Sequence, residues 1–197
     1  MARPSEFDRH EAVEIVMNEI WKNGYEASSV KSLSEKLGIT RSSFYNAFGS
    51  RQNLLKEALK LYFNQSPDIA LTNAVPGVSI RQLFTSTFKA ACKARGMDQQ
   101  GRGCLAINCV AELCNVDDEL GPVMEHAILS SLKRMETLLN WGVAQKELDP
   151  QIDIPGTALA LQNLLMGLNI MCKVVRSERD LWKTAQITLK ALNLYKE

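Results

Sequence analysis

The sequence predicts an all-α protein in two parts: a three-helix unit built on a helix-turn-helix, residues 1–65, and a larger helical bundle, residues 66–197. Three observations predict this. Apolar residues recur at helical spacing in segment after segment of the 197-residue chain. A two-helix signal with a tight glycine turn stands at SVKSLSEKLGITRSSFYNAF, residues 29–48. The helical pattern then fails over residues 65–79, where Pro67, Asn73, Pro76 and Gly77 collect and mark the boundary.

The first helix is expected from about Phe7 to Asn23, with Val13, Val16, Met17, Ile20 and Trp21 as its buried stripe and Gly24 as its end. In the second, Val30, Leu33 and Leu37 fall at i, i+3 and i+7, with Ser28 or Ser29 as N-cap. Gly38 can take the left-handed conformation that closes a helix, Ile39 drops back onto the apolar face, and Thr40 caps the third helix. At ~100° per residue, Phe44 points inward while Arg41, Ser42, Ser43, Tyr45 and Asn46 make an outward polar face. Small hydroxyls, an amide and a cation bond base edges and phosphates, although the same face would suit an ordinary solvated helix. A fourth helix starts after Ser50 and carries Leu54, Leu55, Ala58, Leu59, Leu61 and Tyr62, a natural strut between the two parts.

Charge favours the nucleic-acid reading. Residues 29–60 carry Lys31, Lys36, Arg41, Arg51, Lys56 and Lys60 against Glu35 and Glu57, a local excess of positive charge on a chain whose net charge is only +1. A local patch on a near-neutral protein fits a specific DNA contact better than general affinity for polyanions.

In the second part, Leu83, Phe84, Thr87, Phe88 and Ala91 form a helical stripe until RGMDQQGRG, residues 95–103, interrupts it. CLAINCVAELCN follows, then a break at residues 115–119, from which Asp117 can cap a long helix with Pro122 in its early turns. Val123, Ala127, Met135, Leu138 and Leu139 line that helix as far as Trp141. Nothing from Ile154 to Cys172 carries a charge, a length that could span a membrane. Thr157, Gln162, Asn163 and Asn169 interrupt it, so the reading is a helix with two packing partners and no membrane. The last helix, Glu178 to Leu194, repeats Trp182, Ala185, Leu189 and Leu192 as a helix-contact seam. A second copy of the chain is the expected partner of these last two helices, with an intramolecular core as the alternative.

With 46% hydrophobic and 23% charged residues the composition is that of an ordinary globular protein, and MARPSEFDRH shows no secretory signal, which points to the cytoplasm. Five cysteines without metal-ligand spacing, and isolated His10 and His126, predict neither a disulfide framework nor a metal site, and no cofactor is expected. A helical enzyme carrying a helix-turn-helix-like start is the competing class. It lacks a phosphate-binding glycine loop or a serine-histidine-acid grouping.

From Val16 to Leu55 the sequence resembles the DNA-binding domain of the TetR family of bacterial transcriptional regulators (AcrR-like). The resemblance is carried by Gly24-Tyr25, Gly38-Ile39-Thr40, Phe44-Tyr45, Phe48 and Ser50-Arg51. Gln52-Asn53 departs from the acidic pair of many relatives. The resemblance implies a homodimer joined through its last two helices. It also implies a roughly palindromic double-stranded operator, and repression as the usual mode. It places Thr40, Ser42, Ser43, Tyr45 and Asn46 on DNA, with Arg51 reaching a phosphate; Arg41, Ser29 and Lys31 complete the expected interface.

Two means of release are expected. One is a small, mostly apolar effector in a cavity lined by Phe84, Phe88, Met124, Ile128, Trp141 and Leu165. The other is a thiol: Cys104 follows Gly-Arg-Gly near a helix start, where backbone N–H groups and Arg102 favour a thiolate. RGCLAINCVAELC and GLNIMCKVVRS also resemble the branch of the family that represses reductases and senses electrophiles through cysteine. That resemblance matches Cys104 to the sensing position, with Lys173 as a basic partner.

Overall fold

Side-chain caps decide where the chain turns helical. The computed structural model describes residues 8–197, which form ten α-helices and no strand. In the first part, α1 (Arg9–Asn23), α2 (Val30–Leu37), α3 (Arg41–Phe48) and α4 (Arg51–Gln65) begin on Asp8, Ser29, Thr40 and Ser50. Each cap's side-chain oxygen accepts backbone N–H groups of the first turn, which otherwise lack partners. Phe7, the expected first residue of α1, lies outside the described residues. Gly38 closes α2 at φ +66°, with Gly38 N–H donating to Glu35 O and Ile39 N–H to Ser34 O.

The second part comprises α5 (Ile69–Asn73), α6 (Ile80–Met97), α7 (Leu105–Leu113), α8 (Leu120–Ala144), α9 (Ile154–Met171) and α10 (Glu178–Ala191). Two boundaries differ from expectation. The segment read as loop contains α5, a single short helix that buries Leu71. α6 runs through Arg95 and Gly96 instead of stopping there, because a Cβ on Gly96 would lie 2.8 Å from Glu178 N. That glycine brings α6 against the start of α10. Asp117 stands two residues ahead of the N-cap, Glu119, and its carboxylate accepts from Glu119 and Leu120 N–H at the start of α8.

The seam expected on the last helix is used within the chain. Leu181, Ala185 and Leu189 of α10 are buried, and α10 packs chiefly on α6. Trp182 and Leu192 are only half-buried. What remains uncovered on α9 and α10 is a different apolar set: Leu159, Ile170, Met171 and Ile187. By length and composition α9 could cross a membrane, but it packs here against α8, α6 and α10.

Buried side chains form two clusters, and their division does not follow the expected boundary at residues 65/66. One joins α1–α4 to α7 and the start of α8, through residues such as Ile20, Phe44, Leu55, Leu105, Leu113 and Met124. The other joins α6 to the later part of α8, α9 and α10, through Phe84, Phe88, Leu138, Leu161 and Leu189. α7 thus bridges the two parts: its buried residues complete the first cluster while it also packs on α8 and α9.

A carboxylate from the α8–α9 connection caps α6. Glu147 accepts from Ser79 Oγ (2.5 Å), Ile80 N–H (2.6 Å) and Arg81 N–H (3.2 Å). Burial works against its charge, but these bonds outweigh burial and hold its carboxyl below the ordinary value of 4.5. A depressed carboxyl stabilises the fold above the unfolded pKa and loses that contribution as pH falls through the folded one. Glu147→Gln is therefore expected to flatten the fall in melting temperature below about pH 4.5, measured by circular dichroism; a slope unchanged from the wild type would refute the cap.

Candidate nucleic-acid interface and thiol site

The exposed face of α3 follows from its buried one. Phe44 and Phe48 anchor the helix in the core at 0% and 3% exposure, which turns Arg41, Ser42, Ser43, Tyr45 and Asn46 to solvent. Tyr45 is 52% exposed. Thr40 and Ser43 share a hydroxyl contact of 2.9 Å besides the capping bond. Ser29, the N-cap of α2, and Lys31, in its first turn, are exposed as well.

Much of the local positive charge is already spoken for. Lys31 pairs with Glu35, Lys36 with Glu19, Arg51 with Glu26 and Lys56 with Glu119. Arg41 and Lys60 form no ion pair among the described residues. Arg41, on α3, is then the cation most available to a polyanion. Arg51, expected at a phosphate, is turned inward instead: its guanidinium lies 3.9 Å from the centre of the Tyr25 ring and donates to Tyr25 O and Ser28 O. It fixes the turn between α1 and α2. Arg9, which the sequence did not single out, does comparable work at the far end of α3. It donates to Ala47 O, pairs with Glu57 and lies over the Phe48 ring.

The second part grips this unit through α7. Glu112 accepts from Tyr25 N–H (2.8 Å) and Glu26 N–H (3.2 Å). Gly24, at φ +88°, makes room for it: a Cβ there would lie 2.6 Å from the Glu112 carboxylate. Ahead of α7, Gly103 O accepts from Trp21 Nε1 (3.2 Å), and the Arg102 guanidinium lies 3.9 Å from the centre of the Trp21 ring.

Cys104 is buried, at 7% exposure, where α4, α6, α7 and α9 converge. Its Sγ accepts from Tyr62 Oη (3.1 Å), which accepts in turn from Arg95 Nη2 (2.8 Å). Burial and the neighbouring Cys104 push the Tyr62 hydroxyl well above its ordinary value, so it stays protonated and able to donate. The cation of this network is Arg95, not the expected Arg102, which is engaged by Asp98 and Asn18. Lys173 lies against Gly103, the residue before Cys104. Burial pushes the thiols of Cys92 and Cys109 up to about 12, and that of Cys172 upward too, leaving each a poor nucleophile near neutrality.

The residues expected to line one effector cavity fall in two packed clusters. Phe84, Phe88, Trp141 and Leu165 belong to one packed cluster; Met124 and Ile128 belong to the other. The larger hollows lie at the surface, one of about 600 Å³ between α7 and α8 that Ile128 and Met166 help line.

Comparison with known proteins adds relatives over the whole chain. Residues 17–58 match the profile described as bacterial regulatory proteins of the tetR family, and residues 82–187 match the tetracyclin repressor-like C-terminal domain. The chain is 25% identical to an uncharacterized HTH-type transcriptional regulator, YezE of Bacillus subtilis (98% of this chain, 100% of the relative). It is 23% identical to the HTH-type transcriptional repressor ComR of Escherichia coli (95% and 90%). Among solved structures it is similar to a cysteine mutant of the regulator CifR in complex with 26-bp double-strand operator DNA. The TM-score is 0.84 at 25% identity, covering 96% of this chain and 99% of that one.

Proposed function

The chain belongs to the TetR family of bacterial transcriptional regulators, and we propose that it is a homodimeric repressor released from a palindromic operator by an electrophile that reacts at Cys104. The observation that carries the DNA-binding part is the α3 face. An anchored helix, capped by Thr40, offers Arg41, Ser42, Ser43, Tyr45 and Asn46 without a protein partner covering them. The operator complex of CifR supports this reading.

The apolar residues left uncovered on α9 and α10 support dimerisation: a second copy related by a two-fold axis would bury Leu159, Ile170, Met171 and Ile187. Two such heads read half-sites about one DNA turn apart, so the distance between them governs affinity. Cys104 is the candidate trigger because it alone of the buried thiols is hydrogen-bonded to the strut, α4, that ends in the DNA-reading unit. An apolar effector in the body is the weaker alternative, since the side chains proposed for it are packed together in two clusters. The setting of such a regulator is the cytoplasm.

The test is a gel shift with DNA from just upstream of the protein's own gene, with and without N-ethylmaleimide. Retardation by untreated protein, lost after alkylation in the wild type but not in Cys104→Ser, is the expected result. Loss of retardation in both proteins would remove Cys104 from the mechanism while keeping the regulator.

A further inference from the structure

Side chains from four helices meet in one buried network around Cys104. Besides the Tyr62 bonds to Cys104 and Arg95, Arg95 Nε donates to Asn169 Oδ1 (2.6 Å), and Asn169 Nδ2 donates to Leu165 O (2.9 Å). Tyr62, Arg95, Asn169 and Cys104 are 3%, 6%, 4% and 7% exposed, so a lost partner is costly to replace. Arg95 is the demanding member. Both of its hydrogen-bond acceptors are neutral, and it forms no ion pair among the described residues. A buried cation held by two neutral oxygens and, at 5.9 Å, by the face of the Trp21 ring depends heavily on each of them.

A cavity of about 350 Å³ adjoins this network, walled by Trp21, Tyr62, Arg95, Asp98 and Arg102 among others. Cys104 is not part of the wall; the phenol of Tyr62 is, with its hydroxyl on Sγ. A reagent arriving through the cavity therefore meets Tyr62 before it meets sulfur. Tyr62 lies on α4, roughly 16 Å along the axis from Arg51 at ~1.5 Å per residue. Arg51 in turn holds the backbone of Tyr25 and Ser28 just ahead of α2.

We propose that Tyr62 and Arg95 are positioning residues that pass the chemical state of Cys104 to the DNA-reading helices through α4. This rests on the thiol reading above. An adduct on Sγ occupies the place of the phenol and ends its donation to sulfur. Arg95 then loses one of its two acceptors unless Tyr62 and Arg95 move together. Either movement is transmitted along α4 as a displacement of its Arg51 end, and the turn before α2 follows.

The probe is N-ethylmaleimide. In the reaction the Cys104 Sγ–C bond forms as the maleimide C=C opens, the thiol proton ends on the adjacent ring carbon, and nothing leaves. Wild type, Tyr62→Phe and Cys104→Ser are alkylated, the adduct is located by peptide mass spectrometry, and affinity is measured by anisotropy on a duplex selected from a random library by the wild type. The wild-type adduct is expected to lose about ten-fold or more in affinity, and Cys104→Ser to be unaffected. Tyr62→Phe should acquire the adduct yet change by less than about three-fold. If alkylated Tyr62→Phe releases DNA as fully as the wild type, the relay is wrong while the thiol reading stands. If the wild type gains no adduct at Cys104, or gains one without losing affinity, the thiol reading fails and the relay falls with it.

A second readout needs no DNA. In a Trp141→Phe, Trp182→Phe background Trp21 is the one remaining tryptophan, with its ring 5.0 Å from that of Tyr62. Its emission should shift on alkylation of Cys104. An unchanged spectrum on a fully alkylated protein would overturn the relay even where Tyr62→Phe no longer binds DNA.

Discussion

Arg41→Ala and Tyr45→Ala are each expected to weaken operator binding by a factor of about 30 or more, with melting temperatures within about 2 °C of the wild type. The size follows from about 1–3 kcal/mol per lost DNA contact, counted once in each half of a symmetric complex. The unchanged stability follows from exposure: both side chains stand clear of the core, whereas Phe44 between them carries the packing. The two variants should differ in salt dependence. If Arg41 meets a phosphate, its loss reduces the slope of log K against log salt by about 0.9 per subunit. Tyr45→Ala should leave that slope in place. Anisotropy titrations at several salt concentrations read both quantities, and wild-type affinity in both variants would show that α3 is not the reading helix.

Gly103→Ala should cost roughly 2–5 kcal/mol of folding stability. Gly103 sits at φ +76°, where a side chain adds about 1–2 kcal/mol of backbone strain. Its Cβ would lie 2.6 Å from Asn169 O and 2.8 Å from Lys173 Cε. The lysine can swing aside, but the carbonyl belongs to α9, so α7 and α9 must separate, an overpacking cost of about 1–3 kcal/mol. Urea unfolding measures the sum. A change below about 1 kcal/mol would mean that the approach of these helices is looser than described.

The helices were legible where one physical rule acts alone. Gly38, Thr40 and the Phe44 side of α3 could be read from spacing because capping, left-handed closure and amphipathicity all act within a few residues. The limits of α6 could not. Glycine in RGMDQQGRG reads as a stop, but Gly96 serves a close approach to Glu178, eighty-two residues away. Charge was misread for the same reason. A count of basic residues in 29–60 takes no account of Glu19, Glu26 and Glu119, which lie outside that window and neutralise three of them. Arg95 left a trace that could have been followed: it continues the Phe84, Phe88, Ala91 stripe of α6, and a cation on a buried stripe signals a buried polar network. The six residues grouped into an effector cavity fall in two packed clusters, and apolarity alone does not distinguish a lining from a filling.

The way the core divides also bears on whether the head can stand alone. Because α7 completes the core of the first four helices, and Glu112 holds the turn that leads into α2, a head cut at residue 65 would expose the surface that Leu105, Leu113 and Met124 now cover. A head that keeps this packing has to keep α7 against it. Cys104 stands at the first turn of that helix. The packing that seats the reading helices and the candidate trigger therefore depend on one helix.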